Sequence, residues 1–344
     1  MPISLYSPPF LLNNGLSMTV YAAYCSSQTW ETTISETEPE YQEIIVDQGE
    51  VPLFAKVASH PQAKGTIVGT YGITGTLENQ WFLKILGRKA YAQGYSVVLF
   101  DWRAHGESAK LSPVLTSDGL NEGKDFLAIA EASKTLGCTA PFWFTGYSLG
   151  GQLALWAIYY SQLGEFPGLD ITEVAGGAVI CPNLDANLSL PYLMKHPLGK
   201  YIEKAIAKEL RKLALKLHHY HPDEFDLDAI DRATTIWGFD RELVIPRLGF
   251  ASVEDYYCAS SGWQILPQLT KPTLILYAQD DPMFSPQVIP KLLDICNQNQ
   301  AIKLILTEAG GHVGYISSQV CQQKSGDRDT WWAWNRILDW CNRV

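Results

Sequence analysis

Short, nearly continuous apolar runs alternate along this chain with segments whose apolar residues recur every three to four positions. The runs at 66–70 (Thr66-Ile67-Val68-Gly69-Thr70), 95–100, 141–145, 175–181, 273–277 and 302–306 are of the buried parallel-strand type. Helical spacing fills 78–92, 123–136, a stretch starting near Leu149, 287–297 and 330–343, with Gly94 and Gly137 as stop signals just past two of these. Two earlier strands, 42–47 and 52–58, flank Gln48-Gly49-Glu50 and predict a hairpin. Strands that alternate with helices imply a mostly parallel sheet covered on both faces. The alternation fails between 183 and 266, which holds helical segments and no convincing strand. The pattern therefore predicts one α/β domain, with core segments 41–182 and 267–344 and a helical cap inserted at 183–266. Residues 1–40 are expected to form an N-terminal arm leading through a polar, Ser/Thr/Glu-rich surface loop at 26–40.

Composition narrows the function classes. A 344-residue chain with 47% hydrophobic residues excludes disorder and small disulfide scaffolds, and a net charge of −10 argues against a nucleic-acid partner. Seven scattered cysteines without a C-x-x-C pair predict neither a disulfide framework nor a zinc ribbon, and point to a reducing compartment. The first residues, Met1-Pro2-Ile3-Ser4-Leu5, carry no basic region before their apolar stretch and are not expected to act as a signal peptide. No apolar run reaches the ~20 residues of a membrane span. The expected location is cytoplasmic, or peripheral to a membrane.

The strongest chemical signal is Gly146-Tyr147-Ser148-Leu149-Gly150-Gly151, set between a predicted strand and a predicted helix. G-x-S-x-G in that context is a nucleophile elbow, a strained turn that lifts the serine hydroxyl above the sheet. Gly146 and Gly150 are needed because side chains there would collide with the neighbouring strand and helix backbone. A serine nucleophile requires a base, and the base an orienting acid, which in such folds follow in the order Ser, Asp/Glu, His. His312, in Gly310-Gly311-His312-Val313-Gly314, is the one histidine that follows both the serine and a strand-end acid pair, Asp280-Asp281. Asp281, directly before the turn-forming Pro282, is the preferred acid and Asp280 the alternative. The backbone N–H groups of Leu149 and of Ile73, in Tyr71-Gly72-Ile73-Thr74-Gly75, are the expected oxyanion hole. Tyr71, Tyr147 and His105 are candidate substrate contacts. Neither a metal nor an organic cofactor is called for.

These motifs resemble the α/β-hydrolase superfamily, and more narrowly its YheT-like branch of bacterial hydrolases, plant embryogenesis-associated proteins, animal abhydrolase-domain lipases and yeast ethyl-ester synthases. The likeness runs from Pro8-Pro9-Phe10-Leu11-Leu12-Asn13-Asn14-Gly15 to Gly314. Besides the elbow it is carried by Asp255-Tyr256-Tyr257 to Ser260-Ser261, by Pro272-Thr273-Leu274-Ile275 with Asp280-Asp281-Pro282, and by Gly310-Gly311-His312-Val313-Gly314-Tyr315. It implies the α/β-hydrolase fold and a serine esterase or lipase that uses Ser148, Asp281 and His312 on short-to-medium acyl esters or monoacylglycerols. An acyltransferase using the same triad, and a non-catalytic binding protein on this fold, are the alternatives. The chain departs from its relatives at Tyr71-Gly72, where His-Gly is usual, and at Ala104 in Asp101-Trp102-Arg103-Ala104-His105-Gly106-Glu107-Ser108, where glycine is common.

Within the cap, 200–217 segregates Ile202, Ile206, Leu210, Leu213 and Leu217 from Lys200, Lys204, Lys208 and Arg211. Residues 195–216 carry seven basic and two acidic side chains, a local +5 within a chain of −10. The helix is expected to present a solvated basic face, with anionic membrane as its candidate partner. His218-His219-Tyr220-His221 has the look of a metal site, and His221 with Asp226 that of an acyltransferase H-x4-D. Neither has supporting context, and a cap turn with local ion pairs is expected. Trp331, Trp334 and Leu338 form one stripe of a helix expected to pack on the sheet.

Overall fold

The structure, a computed structural model, describes residues 6–195 and 197–344; the N-terminal reading at residues 1–5 lies outside them. Eight strands form one sheet in the order β1-β2-β4-β3-β5-β6-β7-β8. They are β1 (Gln42–Val46), β2 (Leu53–Ala58), β3 (Thr66–Thr70), β4 (Ser96–Asp101), β5 (Phe142–Tyr147), β6 (Val174–Ile180), β7 (Thr273–Ala278) and β8 (Ile302–Thr307). β2 runs antiparallel to β1 and β4, and every other pairing is parallel. Strands β3, β4, β5 and β7 are buried at every position, which explains their unbroken apolar runs. Two helix pairs pack on this sheet, Trp81–Ala92 with Trp332–Arg343 and Glu122–Lys134 with Leu149–Ser161. Trp331, Trp334 and Leu338 are all buried, as their stripe predicts, and Trp334 meets the rings of Phe82 and Tyr147.

Between β6 and β7 the described residues form only helical elements, the longest being Pro197–Tyr220. This insertion builds its own apolar cluster, including Leu210, Ile230, Phe239 and Tyr256, and roots it on Ala104, Ala109 and Leu115 from the loop beyond β4. The long helix buries Leu210 and Leu217 and leaves Lys200, Lys204, Lys208 and Arg211 exposed. Ile202, Ile206 and Leu213 are only half-buried, while Glu203 is buried among them because its carboxylate accepts from the Ile236 N–H at 2.8 Å.

One expectation needs correction. The stretch 26–40 is not a loop in its first part, since helical turns continue through Ala22–Ser26, Ser27–Thr29 and Trp30–Thr33. Trp30 anchors them, buried beneath the Arg88 guanidinium at 4.7 Å. The cap turn expected at His218–His221 falls just after it, at 222–224, and Arg211 with Asp231 at 2.5 Å forms a local ion pair. His218 and Tyr220 belong to the last turn of the long helix, and the rings of His218 and His221 bond the carbonyls of Phe225 and Ala109 at 2.8 and 3.0 Å. No metal-binding cluster occurs among the described residues.

The N-terminal arm reaches the functional end of the sheet. Helix Gly15–Tyr21 is capped by Asn14, whose Oδ1 accepts from the Leu16 and Ser17 N–H groups. It packs so closely on the loop after β7 that a Cβ at position 15 would lie 1.7 Å from the Asp280 carbonyl oxygen. Only glycine fits there.

Candidate active site

Ser148 stands between β5 and helix Leu149–Ser161 with φ 55° and ψ −129°, a left-handed conformation costly for a non-glycine residue. The surrounding backbone enforces it. A Cβ on Gly146 would lie 2.2 Å from the Gly150 carbonyl oxygen, and one on Gly150 would lie 2.3 Å from that of Tyr71. The elbow is thus wedged between its own helix and the loop after β3, and it holds the Ser148 hydroxyl at the start of a helix.

The three polar residues singled out by motif meet here from loops far apart in sequence. His312 Nε2 lies 2.9 Å from Ser148 Oγ, and His312 Nδ1 lies 2.8 Å from Asp281 Oδ2. A carboxylate can only accept, so Nδ1 carries the proton and Nε2 is left to accept from the serine hydroxyl. The second Asp281 oxygen accepts from the Met283 and Phe284 N–H groups at 2.8 and 3.3 Å, which fixes the carboxylate plane. Phe284 also stands edge-on to the His312 ring at 4.9 Å. Asp280 is turned away: its Oδ1 accepts from the Gly311 N–H at 2.9 Å and so braces the histidine loop. The His312 N–H in turn donates to Thr19 Oγ1 at 2.8 Å. Sequence reasoning missed Thr19, because nothing local in the N-terminal arm marks a contact made nearly three hundred residues away.

Leu149 opens the elbow helix, and Ile73 lies in the loop beside it. That loop approaches closely, since a Cβ on Gly72 would fall 3.0 Å from the Ser148 Cβ. Its brace is Asp101, at the end of β4. Asp101 Oδ1 accepts from the Tyr71 hydroxyl and from the Leu77 N–H at 2.8 Å, and Oδ2 accepts from the Glu107 N–H at 2.9 Å. Burial pushes the Asp101 carboxyl upward, an effect these donors oppose.

Tyr71 is therefore not placed as a substrate contact: its ring is fully buried and its hydroxyl is committed to Asp101. Its hydroxyl joins the loops after β3 and β4. Ala104 sits at φ 61°, the left-handed region that favours glycine. Tyr147 and His105 do line cavities that include Ser148.

Two cavities meet at Ser148 and share Ile73, Ile206 and Met283. The inner one runs under the helical insertion among Leu149, Leu190, Leu210, Phe239 and Phe284, with His105 in its wall. The outer one lies between the N-terminal helix and the long helix, lined by Thr19, Tyr24, Tyr147, Tyr201 and His312.

Known proteins share this arrangement of chain. A family profile described as the alpha/beta hydrolase family matches residues 75–320. This chain belongs to the alpha/beta hydrolase family. Within that family, slr0264 of Synechocystis sp., which carries an esterase name, is 51% identical over 98% of this chain and 94% of its own length. YheT of Escherichia coli, also esterase-named, is 28% identical over 81% of this chain and 77% of its own length. Mouse phospholipase ABHD3 is 27% identical over 73% of the chain, which spans 58% of the mouse protein. These relatives place the hydrolase in the YheT-like branch. The solved Pyrococcus furiosus esterase Pf2001 shares the fold, with a TM-score of 0.55 at 15% identity, over 100% of this chain and 99% of that one.

Proposed function

We propose that this alpha/beta hydrolase is a serine carboxylic-ester hydrolase acting through an acyl-enzyme, with the 183–266 insertion serving as its cap. The observation that carries the reading is the hydrogen-bonded chain Asp281–His312–Ser148, at 2.8 and 2.9 Å, on a strained elbow. Ser148 Oγ attacks the acyl carbonyl as His312 Nε2 takes its proton, and Asp281 holds the imidazolium that forms. The Leu149 and Ile73 N–H groups receive the developing oxyanion. His312 then returns the proton to the departing alcohol oxygen, and a water, deprotonated in its turn by His312, releases the acid. Because the histidine must reach the leaving oxygen, the alcohol arm belongs in the outer cavity, which His312 lines, and the acyl arm in the inner one. The apolar inner wall and the ester- and lipid-hydrolase names of relatives support short-to-medium acyl esters or monoacylglycerols as substrates. The test is p-nitrophenol release across an ester chain-length series, combined with fluorophosphonate labelling. We expect one label per chain, carried by Ser148. Absence of turnover together with absence of label overturns the reading.

The basic long helix supplies a docking face for anionic lipid. Lys200, Lys204 and Lys208 are exposed on the same helix as Tyr201, which is 63% exposed at the outer cavity opposite Tyr24, 61% exposed. Basic side chains around an apolar rim suit the surface of a bilayer rich in acidic lipids. Among the described residues no helix is long and apolar enough to cross a membrane, so contact would be peripheral. Lys204→Glu with Lys208→Glu is expected to weaken sedimentation with phosphatidylserine vesicles by about tenfold or more. Binding indifferent to that double substitution, or to the acidic lipid, overturns the assignment.

A further inference from the structure

The inner cavity is apolar in most of its lining, yet several buried polar atoms in that lining have no hydrogen-bond partner among the described residues. His105 is 3% exposed and lies face to face on Trp102 at 3.6 Å. Its Nδ1 pairs with the Arg103 carbonyl oxygen at 2.9 Å. A carbonyl can only accept, so Nδ1 holds the hydrogen, and burial lowers the ring's pKa to about 4, so the imidazole is neutral. Nε2 is therefore a bare acceptor, and it has no hydrogen-bond partner among the described residues. Ser189 Oγ and Asn183 Oδ1, in the same lining, are also buried without partners among the described residues. Asn183 is beside the nucleophile, its N–H donating to the Ser148 carbonyl at 3.3 Å. With Trp102 Nε1, in the same lining and also buried without a partner among the described residues, four uncommitted polar atoms are too many for a cavity shaped only for hydrocarbon, since a buried, unpaired polar group is costly.

Two further side chains narrow the chemistry of the missing partner. Asp118 and Asp240, also in the lining, are bonded to Thr116 and to the Tyr257 hydroxyl. Burial, with repulsion from neighbouring carboxyls, pushes Asp118 up to about 7 and Asp240 well above the usual range. Burial and repulsion between neighbouring carboxyls thus keep Asp118 and Asp240 from ionising together. A neutral hydroxyl fits better, because it donates to a bare imidazole nitrogen and accepts from a serine.

Resting on the ester-hydrolase reading and its placement of the acyl arm, we propose that the protein prefers esters of hydroxylated acyl chains, the chain hydroxyl donating to His105 Nε2 and accepting from Ser189 Oγ. His105 is then a specificity-determining residue that leaves the reacting atoms to the triad.

The test compares kcat/KM for p-nitrophenyl octanoate with that for its 3-, 6- and 8-hydroxy derivatives and its 8-amino derivative. At least one hydroxylated ester is expected to exceed the parent by about tenfold, the worth of one buried hydrogen bond. His105→Phe should lose that preference, read as the ratio of kcat/KM on the hydroxylated and parent esters, and Ser189→Ala should reduce it. The Ser189 variant keeps the test decisive where the His105 variant fails to fold. Hydroxylated esters no better than octanoate in the unaltered enzyme overturn the proposal, as does a preference that survives both substitutions. A preference for the 8-amino ester alone also overturns it. Failure of all esters to react above Ser148→Ala would instead strike the hydrolase reading itself.

Discussion

Replacing Ser148 by alanine is expected to lower kcat on p-nitrophenyl esters by about a million-fold, with little change in KM. The size follows from the geometry. Ser148 Oγ is the hydroxyl that His312 Nε2 reaches, at 2.9 Å, and alanine leaves the imidazole no nucleophile to activate. The backbone N–H groups of Ile73 and Leu149 remain, so the variant keeps whatever stabilisation of charge they give to attack by water. The fold should be unaffected, because the elbow is shaped by contacts of Gly146 and Gly150 with backbone and not by the hydroxyl. Steady-state release of p-nitrophenol checks the rate, and a melting curve checks the fold. A folded alanine variant that retains more than about a hundredth of the activity would remove Ser148 from the chemistry.

The parts of this protein legible in its sequence are those governed by local periodicity or by one tight turn. Buried strands such as β5 and β7 show as apolar runs because both faces are covered, and Ser148 shows because a strained elbow demands small residues around it. His312 is found through chain order. What stays hidden is set by contacts between distant segments. Thr19 bonds the His312 N–H across the whole length of the fold, yet its own neighbourhood predicts only an arm. Tyr71, beside the loop that approaches Ser148, looks like a substrate contact until Asp101, thirty residues on, takes its hydroxyl. Glu203 interrupts an apolar stripe, and only the Ile236 N–H opposite it accounts for the burial. The polar residues around Trp30 predict a loop, whereas its own ring packs under Arg88 and anchors helical turns. In each case side-chain chemistry is visible in the sequence but its partner is not.

The adjacent acids Asp280 and Asp281 give the sharpest contrast open to measurement. Asp281→Asn is expected to lower kcat by about ten-thousand-fold, whereas Asp280→Asn should leave it within about threefold of the unaltered enzyme. Both carboxylates follow β7 and differ by one position, so composition and charge cannot separate them; their partners can. Asp281 Oδ2 accepts from His312 Nδ1 at 2.8 Å, and its other oxygen is occupied by the Met283 and Phe284 N–H groups. An asparagine there keeps its carbonyl oxygen on those two donors and turns its NH2 toward the histidine. Nδ1 must then accept, the proton moves to Nε2, and the imidazole can no longer take one from Ser148. At position 280 the same substitution is harmless, because the carboxylate faces backbone N–H donors only, the Gly311 N–H at 2.9 Å among them, and an amide oxygen serves them equally well. Asp280→Ala is the informative companion: it releases the Gly311 N–H and should loosen the histidine loop, with an effect between the two asparagine variants. The asparagine pair is read from kcat and kcat/KM on one ester at pH 7–9. Equal losses at the two positions would mean that the acids share the role, and a larger loss at 280 would transfer it to Asp280. The expected difference of more than three orders of magnitude corresponds to about 5 kcal/mol in the barrier, all of it from which of two neighbouring oxygens faces one imidazole nitrogen.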